Sequence, residues 1–462
     1  MKTDTMMDLS GVEVPESSSK IPRITHGLPF EDLSEIYKES SFGQIDFEKQ
    51  YASVYFVRLE ALRGAIMESA RKRWVVTSQI SDTQIVGHVK SYKAVEGDIV
   101  LVGILFKEMS LKPSVLEDIQ NNLRISDQFM TFPSSVDMRH KISDTDVLFI
   151  EDMEARLQLV FPDRANLDSL PTGLVVAVLG RINSHGFFEV KDFTLPGCQR
   201  VESISNAITD PSYVAFVSGL QIGSPTSSPF NLQLLRDFLM GVSMNVEQRE
   251  LASRISRVVI AGDSLLVSKE KDPTGSCLSE ADLYLAQIAS IVPVSLMSGP
   301  RDPVNYCFPQ QPLHSGLLPE ARRYRNLTVH TNPFKFKMGN MVLLGTSGQN
   351  VTDVMQFTDN ESCIDALQLI AESRYLAPTA PDTLGCYPFS SFDPLVLNDE
   401  SSAAPSVLFA GNQPHTSTRL IGDGKLRIAT VADFSIRPEM LLINLNDLND
   451  VRVLQIGSQD AF

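Results

Sequence analysis

Cysteine, tryptophan and positive charge are all scarce in this chain of 462 residues. The five cysteines, Cys198, Cys277, Cys307, Cys363 and Cys386, are odd in number, scattered and never in a C-x-x-C pair. That pattern excludes a disulfide framework and a cysteine zinc site, and it fits a reducing compartment. Lys and Arg number 40 against 56 Asp and Glu, a formal net charge of -16. A protein that grips nucleic acid unaided neutralises phosphates with clustered cations, so a surface this acidic repels DNA on average. The basic clusters Arg71-Lys72-Arg73 and Arg322, Arg323 and Arg325 read as solvated charges at helix ends. No stretch approaches the apolar length of a membrane span, and Met1-Lys2-Thr3-Asp4-Thr5 opens no signal-peptide core. The expected setting is cytosolic or nuclear, which makes the sequons at Asn326, Asn350 and Asn360 chance matches.

Hydrophobic residues make up 43% and charged residues 21%, ordinary globular usage at a length that favours two domains. Residues 1–20 are polar and read as a loose tail. From Gln44 to Arg63, Phe47, Tyr51, Val54, Tyr55, Leu59 and Leu62 recur at helical spacing, predicting an amphipathic helix packed on its own domain. Short β runs follow at Ile99–Phe106, Arg156–Val160, Leu174–Gly180 and Gly186–Phe193, with a helix expected over Lys112–Arg124. This density of short strands and glycine turns predicts a small barrel of the five-stranded OB type over residues 42–200. Its strands carry few aromatics with basic neighbours, so it reads as a protein-binding barrel rather than a single-strand binder.

From about Ser205 strands alternate with helices, which predicts a layered α/β domain over residues 205–462. Tyr213–Val217, Arg257–Ala261, Val292–Leu296, Met341–Gly345 and Ser406–Ala410 each end in a glycine-containing corner. Leu232, Leu235 and Leu239 line a helix stopped at Gly241, a second helix opens at Ser279 with Asp282 as a capping-box residue, and a third runs Ile364–Arg374. In such sheets the loops beyond the strand carboxyl ends converge and hold ligands.

The order of corners resembles the calcineurin-like metallophosphoesterases, whose motifs run D-x-H, G-D-x-x-D, G-N-H-D/E, a lone His and G-H-x-H. A two-metal site needs His and Asp side chains there to clamp ions about 3.5–4 Å apart. Ser218-Gly219-Leu220 lacks both the Asp and the His of the first motif. Gly262-Asp263 is kept, Gly299-Pro300-Arg301-Asp302 has Pro and Arg in place of Asn and His, and Gly411-Asn412-Gln413-Pro414 has lost both histidines. Asp263 and Asp302 remain as candidate ligands, with Arg301 adding a repelling charge. His314, His330 and His415 match no paired ligand spacing and read as structural. The expectation is a site with no metal, no cofactor and no catalytic residue, marked by Ser218, Leu220, Asp263, Arg301, Asp302, Asn412 and Pro414.

Longer motifs sharpen the resemblance. Pro309-Gln310-Gln311-Pro312-Leu313, Gly345-Thr346-Ser347-Gly348-Gln349-Asn350-Val351 and the run from Pro378 to Pro388, together with Gly103–Met109, Asp146–Asp152 and Gln50-Tyr51-Ala52, resemble the small (second) subunit of eukaryotic DNA polymerase delta. The similarity runs from about residue 42 to the end. It implies an OB barrel joined to an inactive calcineurin-like phosphodiesterase domain. It further implies a nuclear, non-catalytic scaffold in DNA replication and repair synthesis. Such a scaffold bridges the cysteine-rich C-terminal domain of the catalytic subunit and the third, clamp-tethering subunit, touching DNA only indirectly and no membrane. Two other functions compete: a residual manganese-dependent nuclease using Asp263 and Asp302, and a single-strand-binding OB protein.

Overall fold

The computed structural model describes residues 23, 28–42, 51–77, 79–90, 97–112, 140–201, 211–242, 245–265, 276–398 and 403–457. The tail over residues 1–20, the start of the first helix at residues 44–50 and the helix expected over residues 113–124 lie outside them.

A short strand, β1 (Phe30–Asp32), precedes a helix, α1 (Ala52–Ala70). Strands β2 (Ile85–Val86), β3 (Ile99–Glu108), β4 (Val147–Glu151), β5 (Arg156–Val160), β6 (Val175–Ile182) and β7 (Phe188–Thr194) follow, with the short helix α2 (Arg164–Asp168) between β5 and β6. The order is β3-β4-β5-β7-β6, and β6 pairs back onto β3, so five strands close on themselves. In β5 only Leu157 and Leu159 turn inward, the alternation of a strand with one wet face. The apolar run of β3 has two dry faces: Ile99, Leu101 and Leu105 fill the barrel, whereas Val100, Val102 and Ile104 meet Leu59, Leu62 and Ile66 of α1. Each such side chain contributes about 1.5–3 kcal/mol on burial, which fixes α1 to the barrel as its spacing predicts. One aromatic–basic cluster is present on the barrel, with the Arg156 guanidinium 4.4 Å from the Phe106 ring and 5.5 Å from that of Phe149. Arg156 is held by Glu151 at 2.7 Å, so the cluster offers no net positive charge to a phosphate.

The second body continues with β8 (Tyr213–Val217), α3 (Pro229–Leu239), α4 (Val246–Ser253), β9 (Ile255–Ala261), α5 (Ser276–Ala289), β10 (Val294–Met297) and β11 (Leu327–His330). Then come β12 (Phe334–Met338), β13 (Met341–Thr346), α6 (Gln349–Phe357), α7 (Cys363–Ser373), β14 (Val407–Gln413), β15 (Ser417–Ile421), β16 (Leu426–Ala432), β17 (Glu439–Asn444) and β18 (Val451–Gln455). One sheet has the order β11-β10-β9-β8-β17-β18, the other β1-β12-β13-β14-β16-β15. Their facing sides share a core of Val214, Phe216, Val259, Phe336, Leu343, Phe409 and Val431, with the Phe216 and Phe409 rings 4.8 Å apart. Leu232, Leu235, Leu285 and Ile288 cover the outer face of the first sheet, and α6 and α7 cover the second. The result is a sheet-on-sheet sandwich with helices outside.

Most of the helix signals hold. Ser228 caps α3 ahead of Pro229, and Gly241 follows with φ 70°. Arg374, in the left-handed region at φ 55°, ends α7. The expected capping box does not form. Helix α5 begins at Ser276, so Ser279 lies inside it, and the Asp282 carboxylate instead accepts the backbone N–H groups of Glu320 and Ala321, each at 2.8 Å.

The two bodies are pinned by Arg58 of α1, which is fully buried. Its guanidinium donates to the carbonyls of Gly173 in the barrel (2.7 Å) and of Pro378 (3.0 Å) and Ala380 (2.6 Å) in the sandwich, and lies 3.7 Å from the Tyr375 ring. Lys107 reinforces the seam by donating to the Phe357 carbonyl at 3.2 Å. The chain also crosses the seam early: β1 pairs antiparallel with β12, Phe30 opposite Met338, so residues N-terminal to α1 complete the sandwich and not the barrel.

Candidate functional site

The strand-end corners meet on one side of the sandwich. Gly219 (φ 64°) and Gly262 (φ 84°) turn left-handed after β8 and β9, conformations that side chains resist. The residues after two of these corners are driven into the same region, Asp263 at φ 54° and Asn412 at φ 54°, which are strained for side-chain-bearing residues and common at functional corners. Gly299 is required by proximity, since a Cβ there would lie 2.4 Å from the Asp263 nitrogen.

These corners assemble a charged cluster. Arg301 donates through Nε to Asp263 at 2.8 Å and through Nη2 to Asp433 at 2.8 Å, and its backbone N–H reaches the other Asp263 oxygen at 2.8 Å. Gln221 donates to Asp433 at 2.8 Å, and Ser435 closes its second oxygen. Asp302 points away from the cleft and accepts three backbone N–H groups, those of Asp263 and Gly299 at 2.8 Å and of Leu265 at 2.9 Å. Burial, the largest influence, raises the Asp263 pKa against the pull of Arg301; it raises that of Asp302 with help from Asp263 and against those three donors. The guanidinium is held in its charged form by its two carboxylates despite burial. Arg301 is thus the cation that lets two buried carboxylates persist, and from the same position its charge opposes any metal ion between them.

The remaining predicted positions divide cleanly. Ser218 is buried, accepts the Asn412 N–H at 2.8 Å and donates to the Ala432 carbonyl at 3.0 Å, which ties two corners together. The Asn412 amide bonds the Ser347 carbonyl at 2.8 Å, and its buried Oδ1 has no partner among the described residues. Leu220 is a core side chain of the first sheet, and Pro414 is exposed beyond β14. None of the three histidines enters the cluster. His330 bonds Asp32 at 2.9 Å and Thr328 at 2.7 Å, His314 accepts the Gly316 N–H, and His415 uses its carbonyl to receive Thr430.

Sequence reasoning missed Asp433. The run Ile428-Ala429-Thr430-Val431-Ala432 followed by Asp433 is a sixth strand ending in a corner, but that corner has no glycine, the signal by which the other five were read.

A binuclear metal centre does not fit these residues. Both Asp302 oxygens are occupied by backbone N–H groups, Arg301 covers the facing oxygens of Asp263 and Asp433, and among the described residues no three His, Cys, Asp or Glu gather as a metal-ligand group. A single orphan oxygen on Asn412 makes no ligand set. What the corners leave is a cleft of about 460 Å³ bordered by Arg301, Tyr306, Lys141, Gln349 and Asp353.

The corner packing is tight enough to predict its own sensitivity. Gly348 sits at φ 97°, and a Cβ there would lie 1.8 Å from the Gly411 carbonyl oxygen. Gly348→Ala is expected to lower unfolding stability by roughly 2 kcal/mol or more, from left-handed strain plus the clash. Urea unfolding measures it; a loss under half that size would mean the corners separate freely.

Residues 50–193 match the family model described as the DNA polymerase delta subunit OB-fold domain, and residues 214–418 match that of the DNA polymerase alpha/epsilon B-subunit family. Among curated relatives, the DNA polymerase delta small subunit of Arabidopsis thaliana is 33% identical over 428 residues, covering 90% of this chain and 92% of the relative. That of Oryza sativa subsp. japonica is 32% identical over 416 residues, 87% of this chain and 91% of the relative. DNA polymerase delta subunit 2 of Drosophila melanogaster is 30% identical over 443 residues, 91% and 96% respectively.

Proposed function

The chain belongs to the family of DNA polymerase delta small subunits, and from that membership we infer that it serves as a scaffold whose phosphodiesterase-like corner is silent. As a small subunit it is an accessory component of a replicative polymerase, distinct from the subunit that polymerises, and it partners other polymerase subunits. Beyond this, we propose that it bridges the cysteine-rich C-terminal domain of the catalytic subunit and a third, clamp-tethering subunit in the nucleus. The bodies proposed for these tasks are the helix and barrel within residues 42–200, and the sandwich within residues 205–462 with β1 added to its edge.

The observation that carries the reading of silence is the Arg301 guanidinium between Asp263 and Asp433, each contact 2.8 Å. A protein cation fills the space between carboxylates where phosphoester chemistry would require a divalent one. Asp302, the other carboxylate of the rival nuclease reading, has both oxygens committed to backbone amides. The seam at Arg58 supports bridging, because its three bonds tie the barrel to the sandwich, and two partners on one body keep a fixed geometry only if its parts are tied together.

Reconstitution with the catalytic and third subunits tests both halves. The chain is expected to co-purify stoichiometrically with both and to be needed for their association with each other. The purified chain with manganese is expected to leave single-stranded DNA intact. Cleavage abolished by Asp263→Ala would overturn the silent site, and direct association of the other two subunits without this chain would overturn the bridge.

A further inference from the structure

Two clusters of basic residues stand out in this acidic chain, and the structure treats them differently. Arg71, Lys72 and Arg73, just after α1, are each paired, with Asp82 (2.8 Å), Glu68 (2.7 Å) and Asp192 (2.7 Å) respectively. They are the neutralised surface charges that a short basic run usually provides. The second cluster, Arg322-Arg323-Tyr324-Arg325, is exposed at all four residues. Arg323 is paired there with Glu320 at 2.7 Å, but Arg322 and Arg325 make no ion pair among the described residues. Between these two arginines in sequence stands the Tyr324 ring, 41% exposed.

The fold makes no use of these two cations. A helix C-terminus attracts positive charge, and α5 ends at Ala289 beside this turn. Yet the Ala289 carbonyl is taken by the Asn326 amide at 2.9 Å, not by an arginine. The backbone beneath the cluster is held firmly. Ala321 is fully buried, and the Asp282 carboxylate accepts the N–H groups of Glu320 and Ala321. The Tyr324 N–H donates to the Ala321 carbonyl, and the Tyr324 carbonyl accepts the Leu327 N–H, each at 3.1 Å. A ligand at this turn orders side chains and no backbone, which keeps the entropic cost of binding low.

Unpaired guanidinium groups flanking a wet aromatic ring fit a strand that carries both anions and open planar faces. Single-stranded DNA has phosphates for the first and unstacked bases for the second. In duplex DNA the base faces are covered. An acidic protein segment satisfies the arginines and leaves the ring unused, whereas the family to which the chain belongs serves a DNA polymerase. We propose that the turn from Arg322 to Arg325 is a contact for single-stranded DNA, with phosphates on Arg322 and Arg325 and a base stacked on Tyr324. This goes beyond the scaffold reading, since a bridge between subunits needs no contact with DNA.

The test uses the full chain assembled with the other polymerase subunits, on primed DNA with a single-stranded template overhang. Arg322→Ala combined with Arg325→Ala is expected to reduce the slope of log affinity against log salt by about 1.4, at ~0.7 per phosphate of a single strand. Tyr324→Ala should weaken binding about 5-fold or more and leave that slope unchanged, while Tyr324→Phe binds as wild type does. These changes lie at exposed side chains, so the Tm should stay at the wild-type value. On fully duplex DNA the variants and the wild type should bind alike. A photo-crosslinking amino acid in place of Tyr324 should label the template overhang. An unchanged salt slope, an equal loss on duplex DNA, or a crosslink only to an acidic segment of another subunit overturns the proposal.

Discussion

Replacing Arg301 with alanine is expected to remove about 3–5 kcal/mol of folding stability, because one partner of a buried ion network is deleted and its carboxylates stay behind. Asp263 and Asp433 are almost inaccessible, with 1% and 6% of their side chains exposed, so water cannot take over the role of the guanidinium. The loss should depend on pH in a definite direction. Burial already raises the Asp263 pKa, and Arg301 is the leading influence that lowers it. Without Arg301 the folded-state pKa climbs further above the unfolded value. A carboxyl raised in this way favours the fold below its ordinary pKa and disfavours it progressively as pH rises through the folded value. The variant should therefore lie closer to wild type at pH 5 than at pH 8. Urea unfolding at the two pH values measures this. Adding Asp263→Asn and Asp433→Asn to an Arg301→Met background should recover much of the loss, since removing a whole buried network costs less than orphaning half of it. Wild-type stability of Arg301→Ala at pH 8 would show that the cluster is hydrated.

Arg58→Ala is expected to be as damaging, again about 3–5 kcal/mol, but through a different failure. Three carbonyls from two bodies lose their shared donor, and the Tyr375 ring loses the cation 3.7 Å from its centre. Unfolding should change in form as well as midpoint: a single cooperative transition should split, with the barrel and the sandwich melting apart. Arg58→Lys should not restore it, because one ammonium on a flexible stem cannot reproduce a planar fork that reaches Gly173, Pro378 and Ala380 together. Calorimetry distinguishes the outcomes, and an unsplit transition at the wild-type temperature would mean that apolar contacts alone weld the seam.

What could be read in the chain beforehand followed periodicity. β8, β9, β13 and β14 are continuous apolar runs closed by glycine corners, and α3 and α7 carry capping and stop residues at the spacing physics demands. That Pro300 and Arg301 stand where the metallophosphoesterase motif has Asn and His was readable as a resemblance from the sequence alone. What stayed hidden depends on distance in sequence. That Arg301 is shared between two carboxylates required knowing that Asp433 comes back 132 residues later to meet it. Asp282 mimics a capping residue locally and serves instead to hold a turn 38 residues away. Likewise β1 is three residues long and meaningless until Phe334–Met338 lies beside it.

That last pairing has a consequence for how the protein is made. Asp32 leaves the ribosome about 300 residues before Phe336, the position it pairs with. At synthesis speeds of ~5–20 residues per second, the gap lasts about 15–60 s. All the strands of the barrel emerge within that interval, so the segment that will become the edge of the distant sheet must be carried past a finished barrel without being used by it. Strand β1 is thus synthesised before every strand of the barrel and finds its place only after all of them have emerged.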